Sequence, residues 1–217
     1  LGTVENAVAE LTLGYMLAFN RQLKLHSEEL HNGIWQKHIS TGLRGQTLGL
    51  VGCGAIGQEV VPMASVFKMN ILYNCPHRKL DLEEKYNIKY VSLDELIKES
   101  DFISLHLPAT KETKNMFTLE SFKKMKKNAF FINTSRGSIV NEKDLAIALK
   151  EKLIAGAALD VFQKEPFEES DFCALENVIM TPHVGTFTYD TFYNMNLFCA
   201  ENIINYFNNT LDSKYCV

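Results

Sequence analysis

From Gln46 onward, short apolar runs alternate with segments whose apolar residues recur at helical spacing. Few architectures satisfy that pattern. QTLGLVG (46–52) reads as a strand and AIGQEVVPMASVF (55–67) as a helix with Pro62 as a kink. Six further strands are NILYN (70–74), IKYV (88–91), FISLHL (102–107), AFFINTS (129–135), IAGAALD (154–160) and NVIMT (177–181). Between them lie SLDELIKES, with Ser92 and Glu95 at capping-box spacing, TLESFKKM, and EKDLAIALKE, which Asn141 can cap. The stretch 188–207 reads as one long helix. Strands this apolar, separated by helices, imply a doubly wound α/β fold: a parallel sheet covered on both faces. The first 42 residues differ, reading as two helices and a loop around Trp35 that lead into the sheet. All 217 residues are therefore expected to form one domain, with 1–42 as a leading helical segment.

LVGCGAIG (50–57) places Gly52, Gly54 and Gly57 in G-x-G-x-x-G spacing, between the first strand and the first sheet-covering helix. That is where a Rossmann-type dinucleotide fingerprint must lie. Gly52 permits the tight turn, Gly54 lets the backbone approach a pyrophosphate, and Gly57 allows helix–sheet packing. The helix N-terminus, at Ala55, Ile56 and Gly57, offers N–H groups to the phosphates. The fingerprint also asks for an acid about 20 residues on, to hold the ribose 2′-OH. Here that position is Asn74, and no carboxylate follows until Asp81. Asn74 does not repel a 2′-phosphate as an acid would, and His77, Arg78 and Lys79 are suited to attract one. The expected cofactor is NAD or NADP.

Ligands of such sheets bind beyond the carboxyl ends of the strands. Three charged residues leave three separate strands at that edge: Arg136 after FFINTS, Glu165 shortly after AALDVF, and His183 after NVIMTP. Asp160 ends the middle one of those strands. Reducing a 2-oxo acid needs a cation to grip the carboxylate, and arginine's fork does this bidentately. It needs a proton donor near neutrality, which is histidine's range. A carboxylate beside the histidine stabilises and orients the imidazolium.

Composition narrows the classes. An apolar fraction of 46% and a charged fraction of 22% are those of an ordinary globular protein. A net charge of -4 argues against nucleic acid or an anionic membrane as partner, and KKMKK (123–127) reads as a solvated helix end. AVAELTLGYMLAF (7–19) carries Glu10, is too short to span a bilayer and lacks a basic leader. The cysteines at 53, 75, 173, 199 and 216 have neither C-x-x-C nor zinc spacing, so free thiols, a reducing cytoplasmic compartment and no metal are expected. Cys53 and Cys75, at the glycine loop and after the second strand, are candidates for oxidation or alkylation. A start at Leu1 without methionine suggests a processed product or part of a longer protein.

VAELTLGYMLAFNR, GLRGQTLGLVGCGAIGQ, DFISLHLPATKETKNMF, FINTSRGSIVNEKDLAIAL, AALDVFQKEP and TPHVGTFT follow one another in order. In this series the chain resembles the nucleotide-binding part of the D-isomer-specific 2-hydroxyacid dehydrogenases. The resemblance implies that Arg136 binds the substrate's carboxylate and carbonyl, that His183 is the general acid-base, and that Glu165 is its partner. It implies that Asp160 engages the nicotinamide carboxamide. It adds Leu107, Pro108, Thr113, Thr134 and Gly185 to the residues lining the cofactor, and it departs from the family at Asn74.

It further implies a small 2-oxo or 2-hydroxy acid as substrate, of phosphoglycerate, glycerate/hydroxypyruvate or D-lactate type. A homodimer is implied too, with the region 5–19 reaching across. The apolar face Val8, Leu11, Tyr15 and Phe19 fits a helix buried either within or between chains. Family members begin with a smaller substrate domain that this sequence does not contain. The 217 residues alone are therefore expected to bind dinucleotide with little turnover. The same resemblance extends to dinucleotide-sensing corepressors, so an interaction protein is the alternative reading.

Overall fold

The structure, a computed structural model, describes residues 4–168 and 170–212; Cys216 lies outside them. Two helices come first, α1 (Glu5–Asn20) and α2 (Leu23–His31). The sheet then begins with β1 (Thr47–Val51), followed by α3 (Ala55–Val66), β2 (Asn70–Asn74), α4 (Leu80–Tyr86) and β3 (Lys89–Tyr90). Next come α5 (Leu93–Glu99), β4 (Phe102–Leu105), α6 (Leu119–Lys124), β5 (Phe130–Asn133) and α7 (Glu142–Lys150). The last elements are β6 (Gly156–Leu159), β7 (Val178–Met180) and α8 (Tyr189–Phe207).

The seven strands form one sheet in the order β3-β2-β1-β4-β5-β6-β7, all parallel. The doubly wound fold expected from the alternation is the one observed. β4, β5 and β6 are buried at every position, which is why they read as continuous apolar runs rather than alternating ones. On one face Leu13 and Met16 of α1 and Val60, Val61 and Ala64 of α3 form the core. On the other, Leu96 of α5, Phe122 of α6 and Leu145 and Leu149 of α7 do so.

Most strands are shorter than their apolar runs, because the last residues of each run turn out of the sheet to build the loops at its carboxyl edge. The helix α4 breaks the pattern of its neighbours: it is short, polar and has no buried residue, so no apolar period announces it. Pro62 lies inside α3 without ending it. Val60, Val61 and Ala64 around it are fully buried, and that packing outweighs the lost hydrogen bond. Ser92 accepts from the Glu95 N–H and Asn141 from the Asp144 N–H, as their positions suggested. Lys123, Lys124 and Lys126 of the basic cluster pair with Glu120, Asp94 and Asp101.

Of the two placements open to the apolar face of α1, the structure shows burial within the chain. The face Val8, Leu11, Tyr15 and Phe19 of α1 packs on the chain's own sheet: Val8 and Tyr15 are buried, and Phe19 stacks on Phe130 with ring centroids 3.7 Å apart. Exposed apolar side chains gather instead in and after α2, at Leu23, Leu25, Leu30, Ile34, Trp35 and Ile39, and along α8. Cys53 and Cys75 are buried, and burial pushes the Cys53 thiol up to about 12, which disfavours the thiolate that alkylation and oxidation require. Among the described residues no helix is long and apolar enough to cross a membrane, and no cluster of side chains is suited to hold a metal.

Candidate active site

The strand order reverses between β1 and β4, so the loops leaving their carboxyl ends open a crevice there. Gly52 turns the chain out of β1 with φ +93, a left-handed conformation suited to glycine. A Cβ there would lie 2.2 Å from the His106 carbonyl oxygen at the end of β4. The strands therefore approach too closely for any side chain. Gly54 caps α3 and is different, since a Cβ there would meet no protein atom within 4 Å. The space before it is an open cradle.

The first N–H groups of α3, at Ala55, Ile56 and Gly57, have no intrahelical acceptors, and no acidic residue occupies the first turn to compete for them. The Thr134 hydroxyl, just beyond β5, is buried without a partner. An anion-binding helix end, an open glycine and an orphaned hydroxyl at one edge fit a dinucleotide. Leu107 and Pro108 continue from β4 at the same edge, and the Thr113 hydroxyl donates to the Pro108 carbonyl at 2.8 Å, shaping that loop.

His183 and Glu165 meet directly: His183 Nδ1 lies 2.7 Å from Glu165 Oε2. An ionised carboxylate only accepts, so Nδ1 carries the proton and Nε2 is left for other work. Glu165 Oε1 accepts from the Phe162 N–H at 2.9 Å. Burial alone would raise the Glu165 carboxyl. The hydrogen bonds from His183 and Phe162, with the charges of His183 and Arg136, hold it below its ordinary value.

The backbone of His183 is left-handed, with φ 53, at a cost of about 1–2 kcal/mol for a residue with a Cβ. Asp160 holds that turn. The His183 N–H donates to the Asp160 carbonyl at 2.8 Å. Val184 and Gly185 N–H groups each donate at 2.8 Å to the two oxygens of its buried carboxylate. The Thr181 hydroxyl donates to the same carboxylate, and having spent its one proton there it accepts from the Tyr15 hydroxyl of α1. Burial pushes the Tyr15 phenol up to about 12, with the Thr181 hydrogen bond lowering it and the Asp160 charge raising it further. A chain of hydrogen bonds thus runs from α1 through the sheet edge to the histidine. Asp160, to which the resemblance gives a role at the nicotinamide, is here the anchor of the His183 turn.

Arg136 is exposed and donates from Nη1 to the Ser135 carbonyl at 2.6 Å. Its loop is organised by buried Asn133, which donates to the Arg136 carbonyl at 3.0 Å and accepts from the Ser135 N–H and hydroxyl. The next residue, Gly137, lies beneath the backbone of Phe162, where a Cβ would come within 2.0 Å of its carbonyl carbon. That contact ties the arginine loop to the Glu165 loop. Arg136, Glu165 and His183 are thereby gathered at one place.

The residues after β2 are arranged less simply. Asn74 Nδ2 donates to the Val91 carbonyl at 2.8 Å. His77 is exposed, and its carbonyl accepts from the Cys75 thiol. Arg78 is bound by Glu83 of α4 through two hydrogen bonds of 2.7 Å, and its guanidinium lies 5.7 Å from the Tyr90 ring centroid. The hydrogen bonds from Arg78 and Tyr73 hold the Glu83 carboxyl down at about 2.

Sequence reasoning missed Tyr15, Thr181, Asn133 and Glu83 as supports. Asn133 had a legible signal, an asparagine at a strand end followed two residues on by serine, which favours an Asx-type turn. Tyr15 and Thr181 meet across a long sequence separation, which spacing does not reveal, and Glu83 lies on α4, a helix that no apolar period announces.

A family model described as D-isomer specific 2-hydroxyacid dehydrogenase, NAD binding domain, matches residues 13–185, a span that includes every residue of the site described above. A glyoxylate reductase of Thermococcus litoralis is 41% identical over 212 residues, covering 94% of this chain. The chain spans 64% of that relative's length. A solved acyclic imino acid reductase in complex with NADPH and D-Arg superposes with a TM-score of 0.88 at 30% identity, over 96% of this chain and 67% of the other. The D-lactate dehydrogenase of Lactobacillus jensenii, solved with NAD+, gives 0.87 at 29% identity, over 96% and 68%. Fold, glycine loop and gathered charged residues agree with these likenesses: the chain belongs to the D-isomer specific 2-hydroxyacid dehydrogenase family and carries its NAD binding domain.

Proposed function

We propose that this chain is the cofactor-binding and proton-transferring part of an oxidoreductase that interconverts a small 2-oxo acid and the corresponding 2-hydroxy acid. The observation that carries the reading is the His183–Glu165 pair at 2.7 Å, at the same sheet edge as the glycine loop. All 217 residues act as one dinucleotide-binding domain, with 1–42 leading into it.

Ala55, Ile56 and Gly57 hold the pyrophosphate by their N–H groups, and Gly54 lets it come close. Leu107, Pro108, Thr113, Thr134 and Gly185 line the remainder of the cofactor. The bound nicotinamide supplies or accepts a hydride. Everything else is done by the chain's own residues. Arg136 exchanges its bond to the Ser135 carbonyl for the substrate carboxylate and fixes the carbonyl carbon in place. In the reducing direction His183, protonated at both nitrogens, gives the Nε2 proton to the carbonyl oxygen while Glu165 holds Nδ1. In the oxidising direction Nε2 takes the hydroxyl proton. Asp160 keeps the imidazole on its left-handed turn throughout.

Both NAD and NADP are accepted, because Asn74 stands where an acid would exclude the 2′-phosphate. The likeness to glyoxylate reductases favours glyoxylate or hydroxypyruvate over phosphoglycerate or D-lactate as the acid. A homodimer forms through the exposed apolar side chains of α2 and the segment after it, notably Leu30, Ile34, Trp35 and Ile39. The enzyme works in the cytoplasm, where its free thiols stay reduced.

The test follows NADH and NADPH consumption with glyoxylate, hydroxypyruvate, pyruvate and 3-phosphohydroxypyruvate. It uses the full-length protein, its His183→Ala variant, and the 217 residues alone. The expected result is turnover that requires His183, with tight dinucleotide binding but very slow turnover by the 217 residues. Dinucleotide binding with no turnover of any oxo acid by the full-length protein would favour a sensing protein instead.

A further inference from the structure

We infer that Glu83 sets the balance between NAD and NADP by occupying Arg78, the cation suited to take a 2′-phosphate. The inference rests on the reading above that the glycine loop binds a dinucleotide, since the end of β2 is where the adenosine ribose is read. An arginine at that place recognises a 2′-phosphate through its guanidinium fork. Asn74 offers no opposing charge, so by sequence alone Arg78 is free to do this. Its fork is not free in the structure. Nε donates to Glu83 Oε1 and Nη2 to Glu83 Oε2, both at 2.7 Å, so the edge that would meet two phosphate oxygens already meets a carboxylate.

Glu83 is itself held. The hydroxyl of Tyr73, a fully buried residue of β2, donates to Glu83 Oε1 at 2.6 Å and accepts from the Lys79 N–H at 2.7 Å. Swinging Glu83 away would leave the Tyr73 hydroxyl without its acceptor. The side chain of Glu83 is only 16% exposed, against 57% for Arg78, so the carboxylate is the fixed member of the pair. Tyr90 lies beside the guanidinium and restricts its escape. The negative charge missing at Asn74 is thus supplied from α4, nine residues further along the chain. It acts twice on a 2′-phosphate, by neutralising Arg78 and by repelling the incoming anion. A 2′-hydroxyl suffers neither effect.

Glu83 is a positioning residue that works through Arg78. Glu83→Gln keeps the shape and an oxygen acceptor for the Tyr73 hydroxyl while removing the charge. The experiment titrates NADH and NADPH calorimetrically into the 217-residue chain, its E83Q variant and the R78A/E83Q double variant. E83Q is expected to raise the NADPH-to-NADH affinity ratio about tenfold, with NADH affinity little changed, and the double variant to lose that gain. A loosened loop would weaken both cofactors together, and an unchanged ratio overturns the inference. So does a fall in the ratio, which would mean that Glu83 presents Arg78 to the phosphate rather than withholding it. If NADH binds and the ratio stays put, only this inference fails. If neither cofactor binds the unaltered chain, the dinucleotide reading fails with it.

Discussion

Asp160→Asn is the substitution that most sharply probes how the fold holds His183. The carboxylate presents two oxygens to three protein donors: Thr181 Oγ1 and the Val184 N–H at Oδ1, and the Gly185 N–H at Oδ2. An amide has one oxygen. In its better orientation it keeps Thr181 and Val184 and turns an NH2 group toward the Gly185 N–H, donor against donor. The loss is one charge-assisted hydrogen bond, about 1.5–3 kcal/mol, together with a stranded donor at a buried residue, about 1–3 kcal/mol. These contributions overlap, and relaxation of the left-handed His183 returns part of them, so the net cost is about 3 kcal/mol. At roughly 2–4 °C per kcal/mol for a chain of this size, the melting temperature falls by about 6–12 °C. Thermal unfolding followed by circular dichroism, with urea titration beside it, measures this. Tyr15→Phe removes only the outermost link and costs about 1 kcal/mol. The two substitutions are expected to combine to less than their sum, because both act on one network. A melting temperature for Asp160→Asn within 2 °C of the unaltered chain would refute the anchoring role.

Burial pushes His106 down to about 4 from its ordinary 6.5. The unfolded chain therefore binds a proton between those values that the folded chain refuses. Stability present above about pH 6.5 is lost as pH falls toward 4, at no more than about 1.4 kcal/mol per pH unit and roughly 3 kcal/mol in all. Urea titrations across that range should show the slope and His106→Gln should flatten it; equal slopes would contradict it. Gly52→Ala forces φ +93 on a residue with a Cβ and drives that atom to 2.2 Å from the His106 carbonyl. It should destabilise by about 3 kcal/mol or more, since backbone must move, and a cost below about 1 kcal/mol in the same titration would refute that close approach.

The parallel, doubly wound sheet was legible because parallel strands buried on both faces leave continuous apolar runs, as FFIN of β5 shows. The glycine loop and the three charged residues were legible because each lies at a strand's end, where chain order alone fixes the edge it occupies. What escaped was set by contacts at long separation. Tyr15 and Thr181 are 166 residues apart and meet only because α1 packs across the sheet edge. The same packing turned the apolar face of α1 inward, a choice that its period leaves open. Glu83 escaped for another reason: α4 has no apolar period, so nothing marked it as a helix that would aim a carboxylate at Arg78.

The central claim is that the glycine loop grips a dinucleotide, and Gly54→Ala tests it most directly. A methyl there touches no protein atom within 4 Å, and the backbone of Gly54 is extended, so the fold is indifferent to it. The methyl fills the cradle where a pyrophosphate must approach. Calorimetric titration with NADH of the unaltered chain and of Gly54→Ala should give micromolar binding for the first. For the second it should give a loss of tenfold or more at an unchanged melting temperature. Equal affinity in the two chains, or no binding by the unaltered one, would contradict the account.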